Sequence, residues 1–216
     1  MARAAFFDMD LTLLRVNSGS RWIKYQRRRG EISWPMLVRS GFWLFQYQLS
    51  VLNMESVAAK LATDMAGDAE SEMRDKVGEF YRTELRDTIS PIAREALERH
   101  RDQGDSIVLL TSATPYVAEP LADELLIPHV LCTRLAVENG RFSGALLPPT
   151  CYGVGKVHHA ERFAEAHGID LAQSVFYTDS YSDLPMLLRV GHPVAVNPDG
   201  RLVRYARRRG WPILNW

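Results

Sequence analysis

Two aspartates, Asp8 and Asp10, stand one residue apart in the stretch FFDMDLTLL, between two apolar runs. Carboxylates in such surroundings lose hydration, and two together repel each other. A chain tolerates this where a cation or a substrate balances the charge. Other reactive groups lie further along. Thr111-Ser112-Ala113-Thr114 follows the run SIVLL, Gly155-Lys156 opens an expected helix, and Asp179 and Asp183 stand in TDSYSDLP. Converging carboxylates favour a hard cation, above all Mg2+, and no His or Cys is spaced for a transition metal. A lysine and a hydroxyl beside them complete a phosphate-handling set. The cation and Lys156 would neutralise phosphate charge, while Ser112 and backbone N–H groups would hydrogen-bond its oxygens. One of Asp8 and Asp10 can attack phosphorus as a nucleophile, and the other can protonate the leaving oxygen and later deprotonate water. In an extended chain the two share a face; a turn re-aims either one.

These groups need a scaffold that brings them together. Short, continuously apolar runs at residues 4–10, 106–112, 129–133, 174–179 and 192–197 read as strands buried on both faces. Helical patterns at 91–103, 115–126 and 157–167 lie between them, with Pro91 near one start and Gly104 and Gly168 just past two ends. The alternation predicts an α/β fold with a doubly wound parallel sheet, whose strand C-termini share one ligand-binding edge. Asn139-Gly140 within residues 134–146 predicts a hairpin. Residues 15–85 show no strand pattern and read as helices at 20–29, 35–52, 56–66 and 69–86. The expected division is a core of 1–14 and 86–216 and a helical cap of 15–85 over the sheet's edge.

The chain has 216 residues and zero formal net charge, so nothing in its balance points to a nucleic-acid partner. The basic runs at 27–29 and 207–209 are short and read as solvated surface. Two cysteines, Cys132 and Cys151, without CxxC spacing predict a reducing compartment. MARAAFFDMD carries no apolar leader segment, and the expected location is cytoplasmic. Residues 34–52, WPMLVRSGFWLFQYQLSVL, approach the length of a membrane span, about 20 residues, but Pro35, Arg39, Gln46 and Gln48 interrupt them. A buried or half-buried helix is the first reading, and a peripheral membrane contact through the cap is the second.

The ordered motifs resemble those of the haloacid dehalogenase (HAD) superfamily of phosphatases. FFDMDLTLL is similar to the first motif, DxDxT, with Thr12 as its threonine. Ser112 resembles the second motif's hydroxyl residue, Thr111 being the other register in TSAT. Lys156 resembles the third motif, and Asp179 with Asp183, spaced DxxxD, the fourth. The resemblance implies a Mg2+-dependent phosphomonoesterase. Asp8 would be nucleophile and metal ligand, and Asp10 general acid/base with its backbone carbonyl on the metal. Asp179 would be a side-chain ligand, and Asp183 would either support the ligands from behind or reach the metal through water, and would also position Lys156. Ser112 and the Ala113 amide would hold phosphate. The insertion between the first two motifs resembles the C1 cap of phosphoserine phosphatases. SGALLPPTCYGVGK and NPDGRLVRYARRRGW resemble subfamily IB, which also contains phosphatidylglycerophosphate phosphatases.

Three departures bear on substrate. Asn17 stands where phosphoserine phosphatases carry an amine-binding glutamate, and no arginine near Lys60 and Leu61 matches their carboxylate anchor. Ser182 replaces an asparagine of the fourth motif. The expected partner is therefore a small-molecule phosphate ester or a lipid phosphate. Phosphoserine phosphatase proper and a non-catalytic phosphate-binding protein are the alternatives.

Overall fold

The computed structural model describes residues 2–31 and 54–216. Strand β1 (Ala4–Phe7) runs into a wide turn over residues 9–13. Then come helices α1 (Ser18–Arg28), α2 (Met54–Asp64), α3 (Glu70–Phe80) and α4 (Pro91–Asp102), strand β2 (Ser106–Leu110), α5 (Pro115–Glu124) and β3 (His129–Leu131). The hairpin of β4 (Arg134–Glu138) and β5 (Arg141–Leu147) precedes α6 (Val154–His167), β6 (Val175–Thr178), α7 (Leu184–Arg189), β7 (His192–Val196), α8 (Gly200–Arg209) and β8 (Ile213–Leu214).

Six strands form one sheet in the order β3-β2-β1-β6-β7-β8, every neighbouring pair parallel. Period-two alternation sorts their side chains. Ala5, Phe7, Ile107, Leu109 and Tyr177 pack on one face under α4 and α5, which contribute Ala93, Leu97, Val117 and Leu121. Ala4, Phe6, Val108 and Phe176 pack on the other under α6, α7 and α8, through Phe163, Met186 and Leu202. Phe6, Phe7 and Phe176 are fully buried, each contributing about 1.5–3 kcal/mol. Burial on both faces explains why these strands read as unbroken apolar runs, and the sheet is doubly wound as expected.

The differences from expectation are local. β1 stops at Phe7 rather than residue 10. Asp8 N–H still donates to the Tyr177 carbonyl at 2.9 Å, but Leu11 then enters the left-handed region (φ 54) and turns the chain away. Helix α3 ends at Phe80 and gives way to a wide turn and a tight turn, rather than continuing to 86. Three elements appear that the periodicity did not show, α7, α8 and β8. Asp199 caps α8 by accepting from the N–H groups of Arg201 and Leu202, and Gly210 (φ 67) ends it. Helix α6 begins at Val154, three residues before the pattern suggested. A Cβ on Gly155 would lie 1.9 Å from the Thr150 carbonyl oxygen, so glycine alone permits this packing of the first turn that carries Lys156.

The hairpin turns at Asn139 (φ 51) and Gly140 (φ 75), both left-handed, as the Asn-Gly pair predicts. It is bonded to the segment joining α2 and α3. Gly67 N–H donates to the Phe142 carbonyl (2.8 Å), Phe142 N–H to Asp68 (3.0 Å) and Glu70 N–H to Gly140 (2.9 Å). The apolar segment 34–52 lies outside the described residues. Among the described residues, no helix is long and apolar enough to cross a membrane.

Candidate active site

Four sequence-predicted residues meet where β1 and β6 end. Asp8 follows β1, Asp179 follows β6, Asp183 precedes α7, and Lys156 reaches them from the first turn of α6. Lys156 Nζ donates to Asp8 Oδ1 at 2.9 Å and to Asp183 Oδ2 at 2.6 Å. Thr178 Oγ1, at the last position of β6, donates to the same Asp183 oxygen at 2.7 Å. Lys156 and Asp183 are each 2% exposed. A buried ammonium and a buried carboxylate persist only when paired and hydrogen-bonded, and here both are.

The electrostatics are unbalanced. Asp8, Asp179 and Asp183 surround one lysine. Burial opposes the charge on Lys156, but Asp183 and Asp8 outweigh it and hold the ammonium protonated. Burial pushes Asp8 up to about 6, with Asp183 adding to the rise and Lys156 opposing it. Burial, then Asp8 and Asp183, raise Asp179 well above the ordinary carboxylate range. Such a set is short of positive charge, which oxygen-ligated divalent cations supply.

Asp10 is also in the site but turned elsewhere. Its Oδ1 accepts from Ser18 N–H (3.0 Å), and its Oδ2 from Ser18 Oγ (3.0 Å) and Asn17 Nδ2 (3.1 Å). The Asn17 Oδ1 accepts from Ser20 N–H at 2.9 Å, capping α1. Both ends of the Asn17 amide are thus committed, and its orientation is fixed by its partners. Burial pushes Asp10 up to about 7, against the lowering effect of the Ser18 N–H.

The loop after β2 separates its two hydroxyls. Thr111 is buried, and its Oγ1 accepts from Ala113 N–H at 3.2 Å. Ser112 is exposed. The geometry therefore favours Ser112 over Thr111 as the hydroxyl open to a ligand. Thr12 is fully buried, and its hydroxyl has no hydrogen-bond partner among the described residues. Ser182 Oγ lies 2.8 Å from Ser180 Oγ, within the turn that leads to Asp183.

Three contributors escaped the sequence reading: Thr178, Ser18 and the amide of Asn17 in its actual task. Asn17 was open to detection, since Asn followed by Ser-Gly-Ser is an N-cap pattern and α1 begins at Ser18 rather than 20. Thr178 carries no spacing signal; it acts only because β6 ends beside Asp183.

The chain matches the haloacid dehalogenase-like hydrolase family over residues 5–188. It is similar to phosphoserine phosphatase SerB1 of Mycobacterium tuberculosis, 34% identical over 99% of this chain and 70% of the relative. It is also similar to a histidinol-phosphatase of Neisseria meningitidis, 27% identical over the whole of both chains. A solved Bordetella pertussis protein of unknown function superposes with a TM-score of 0.89 at 28% identity, covering 99% of this chain and 98% of that one. The chain belongs to the haloacid dehalogenase-like hydrolases, as a phosphatase of the phosphoserine phosphatase-like type.

Proposed function

We propose that the protein is a cytoplasmic, Mg2+-dependent phosphomonoesterase that works through an aspartyl-phosphate on Asp8. The observation that carries this reading is Lys156, buried yet held between Asp8 and Asp183 at the edge where the strands end. The donor set suits Mg2+: its side-chain donors are carboxylates, and they outnumber the ammonium. Asp8 and Asp179 would hold the ion through their carboxylates and Asp10 through its backbone carbonyl, with Asp183 behind a water. Only two of these are direct side-chain ligands. Among the described residues, no three His, Cys, Asp or Glu side chains are grouped to hold an ion by themselves. When bound, the ion neutralises phosphate oxygens and so lets an anionic nucleophile approach.

The residues divide the work. The Asp8 carboxylate attacks phosphorus; the bond from phosphorus to the ester oxygen breaks, and that oxygen takes a proton from Asp10. Asp10, now ionised, takes a proton from water as the water oxygen attacks the acyl phosphate. The bond from phosphorus to Asp8 breaks, and inorganic phosphate leaves. A carboxyl pushed up to about 7 can give and take a proton near neutrality. Lys156 and Ser112 hold phosphate oxygens, and the Ala113 N–H does so on leaving Thr111 Oγ1. In this reading residues 15–85 form a cap over the core of 1–14 and 86–216, and the core's hairpin is bonded to the cap at residues 67–70.

The substrate is a small phosphorylated metabolite. Asn17 offers no negative charge to a substrate amine, and its amide is already shared between Asp10 and Ser20. This argues against phosphoserine, which the name of the M. tuberculosis relative favours as the second reading. A lipid phosphate rests on the apolar sequence of segment 34–52 and on the missing amino-acid anchors. The test is phosphate release with Mg2+ across amino-acid, sugar, nucleotide, choline, histidinol and lipid phosphates, beside an Asp8→Asn control. Release from a soluble ester with a silent control supports the reading. Phosphoserine outrunning every other ester would restore phosphoserine phosphatase proper. A flat screen would favour a non-catalytic phosphate-binding protein, and an Asp8→Asn variant near wild-type would overturn the mechanism.

A further inference from the structure

Asn197, just past β7, adopts φ 42, a left-handed conformation that a side-chain-bearing residue enters at a cost. Its Nδ2 donates to the Leu11 carbonyl at 2.8 Å and, more weakly, to the Trp216 carbonyl at 3.4 Å. Its Oδ1 accepts from Trp216 N–H at 2.9 Å. Leu11 is the residue after Asp10 and is itself left-handed, at φ 54. Leucine has no polar side chain to stabilise that conformation locally, so it must be held from outside. The turn's own bonds are Leu11 N–H to Val16 at 3.3 Å and Leu14 N–H to Met9 at 2.9 Å. The Asn197 amide adds a shorter tie that reaches the turn from β7.

The far side of the tie is firmly seated. β8 pairs with β7, and the Trp216 ring packs on Tyr177 (5.2 Å between centroids) and Phe7 (6.4 Å). Those two residues lie in the strands that deliver Asp8 and Asp179. One carboxamide thus joins two strained residues and three strand ends. We infer that Asn197 is a positioning residue for Asp10: through the Leu11 carbonyl it fixes the turn that aims the Asp10 peptide unit and side chain. The catalytic consequence rests on the phosphatase reading; the mechanical tie does not.

Two variants separate this from a merely structural role. Asn197→Gly keeps the backbone conformation, since glycine accepts a positive φ, and removes only the amide. Asn197→Asp keeps the shape and the acceptor for Trp216 but sets a carboxylate oxygen against the Leu11 carbonyl. Asn197→Gly should lower kcat about tenfold, the rate equivalent of one lost hydrogen bond, with KM unchanged, and should lower Tm modestly because the two bonds to Trp216 are lost as well. Asn197→Asp should lower kcat further. In both, hydrogen exchange of amides 11–14 should quicken while that of β7 does not. Unchanged exchange in 11–14 overturns the tie, and a lowered Tm with wild-type kcat overturns the positioning role. The exchange arm needs no substrate, so it decides the tie even if the phosphatase reading fails, and Asp8→Asn tests that reading separately.

Discussion

The two edges of the central sheet both bury acids, and they treat them in opposite ways. At the N-terminal edge, Asp105 is met by Arg3 and by His100 Nδ1 at 2.7 Å, and His100 Nε2 lies 2.9 Å from the Tyr177 hydroxyl. The acid there has at least as many partners as it needs. At the C-terminal edge, Asp8, Asp179 and Asp183 share Lys156, and two of the three are raised above the ordinary carboxylate range. The same chain satisfies a buried carboxylate where only stability is at stake and leaves a surplus where chemistry is expected. The surplus costs stability, as is common at catalytic sites.

The largest test of this contrast is Asp8→Asn. Turnover should fall by about 10⁴-fold or more in a phosphate-release assay, as loss of a nucleophile does. The metal-free variant should melt no lower than wild type, because one surplus charge is gone. Lys156→Met comes next. It leaves two buried acids facing each other without a cation, and should cost about 3–5 kcal/mol in urea denaturation. An unchanged midpoint would mean that the acids are solvated after all.

A third test is pH. Burial lifts Asp8 from 3.8 to about 6 and Asp10 from 3.8 to about 7. The folded chain therefore binds more protons than the unfolded one between these limits. The stability linked to these groups is complete below 3.8 and lost as pH rises through about 6 to 7. In EDTA, Tm should fall between about pH 4 and pH 7 and level off above, and Mg2+ should raise it most at the upper end. A flat profile would dissolve the asymmetry between the edges. The smallest effect belongs to the balanced edge. Asp105→Asn should cost about 1–1.5 kcal/mol and leave kcat untouched.

The sheet was legible because burial on both faces writes itself as unbroken runs such as SIVLL and VFYT. The acids at the strand ends stood out against those runs, and their order along the chain made the family resemblance. The rest was hidden for physical reasons. A leucine in left-handed conformation has no sequence signature, so the turn that re-aims Asp10 could be named only as one of two options. β8 is two residues long, below the reach of any periodicity. The hairpin was foreseen from Asn139-Gly140, but its bonding to residues 67–70 is a long-range event. Asn17 was read by what it lacked, a charge for a substrate amine, whereas its structural task is to hold Asp10 and cap α1.

Gly155 has a consequence for how far this site can be altered. A side chain there would collide with the Thr150 carbonyl, so α6 sits at the one height its neighbour allows. Lys156 is the next residue, and it must span two acids at once. The glycine thus acts as a spacer of fixed thickness, and the lysine as a rod cut to match it. Gly155→Ala would lift the helix and draw the ammonium out of register with both carboxylates. Redesign of the site therefore has to leave residues 150–156 alone.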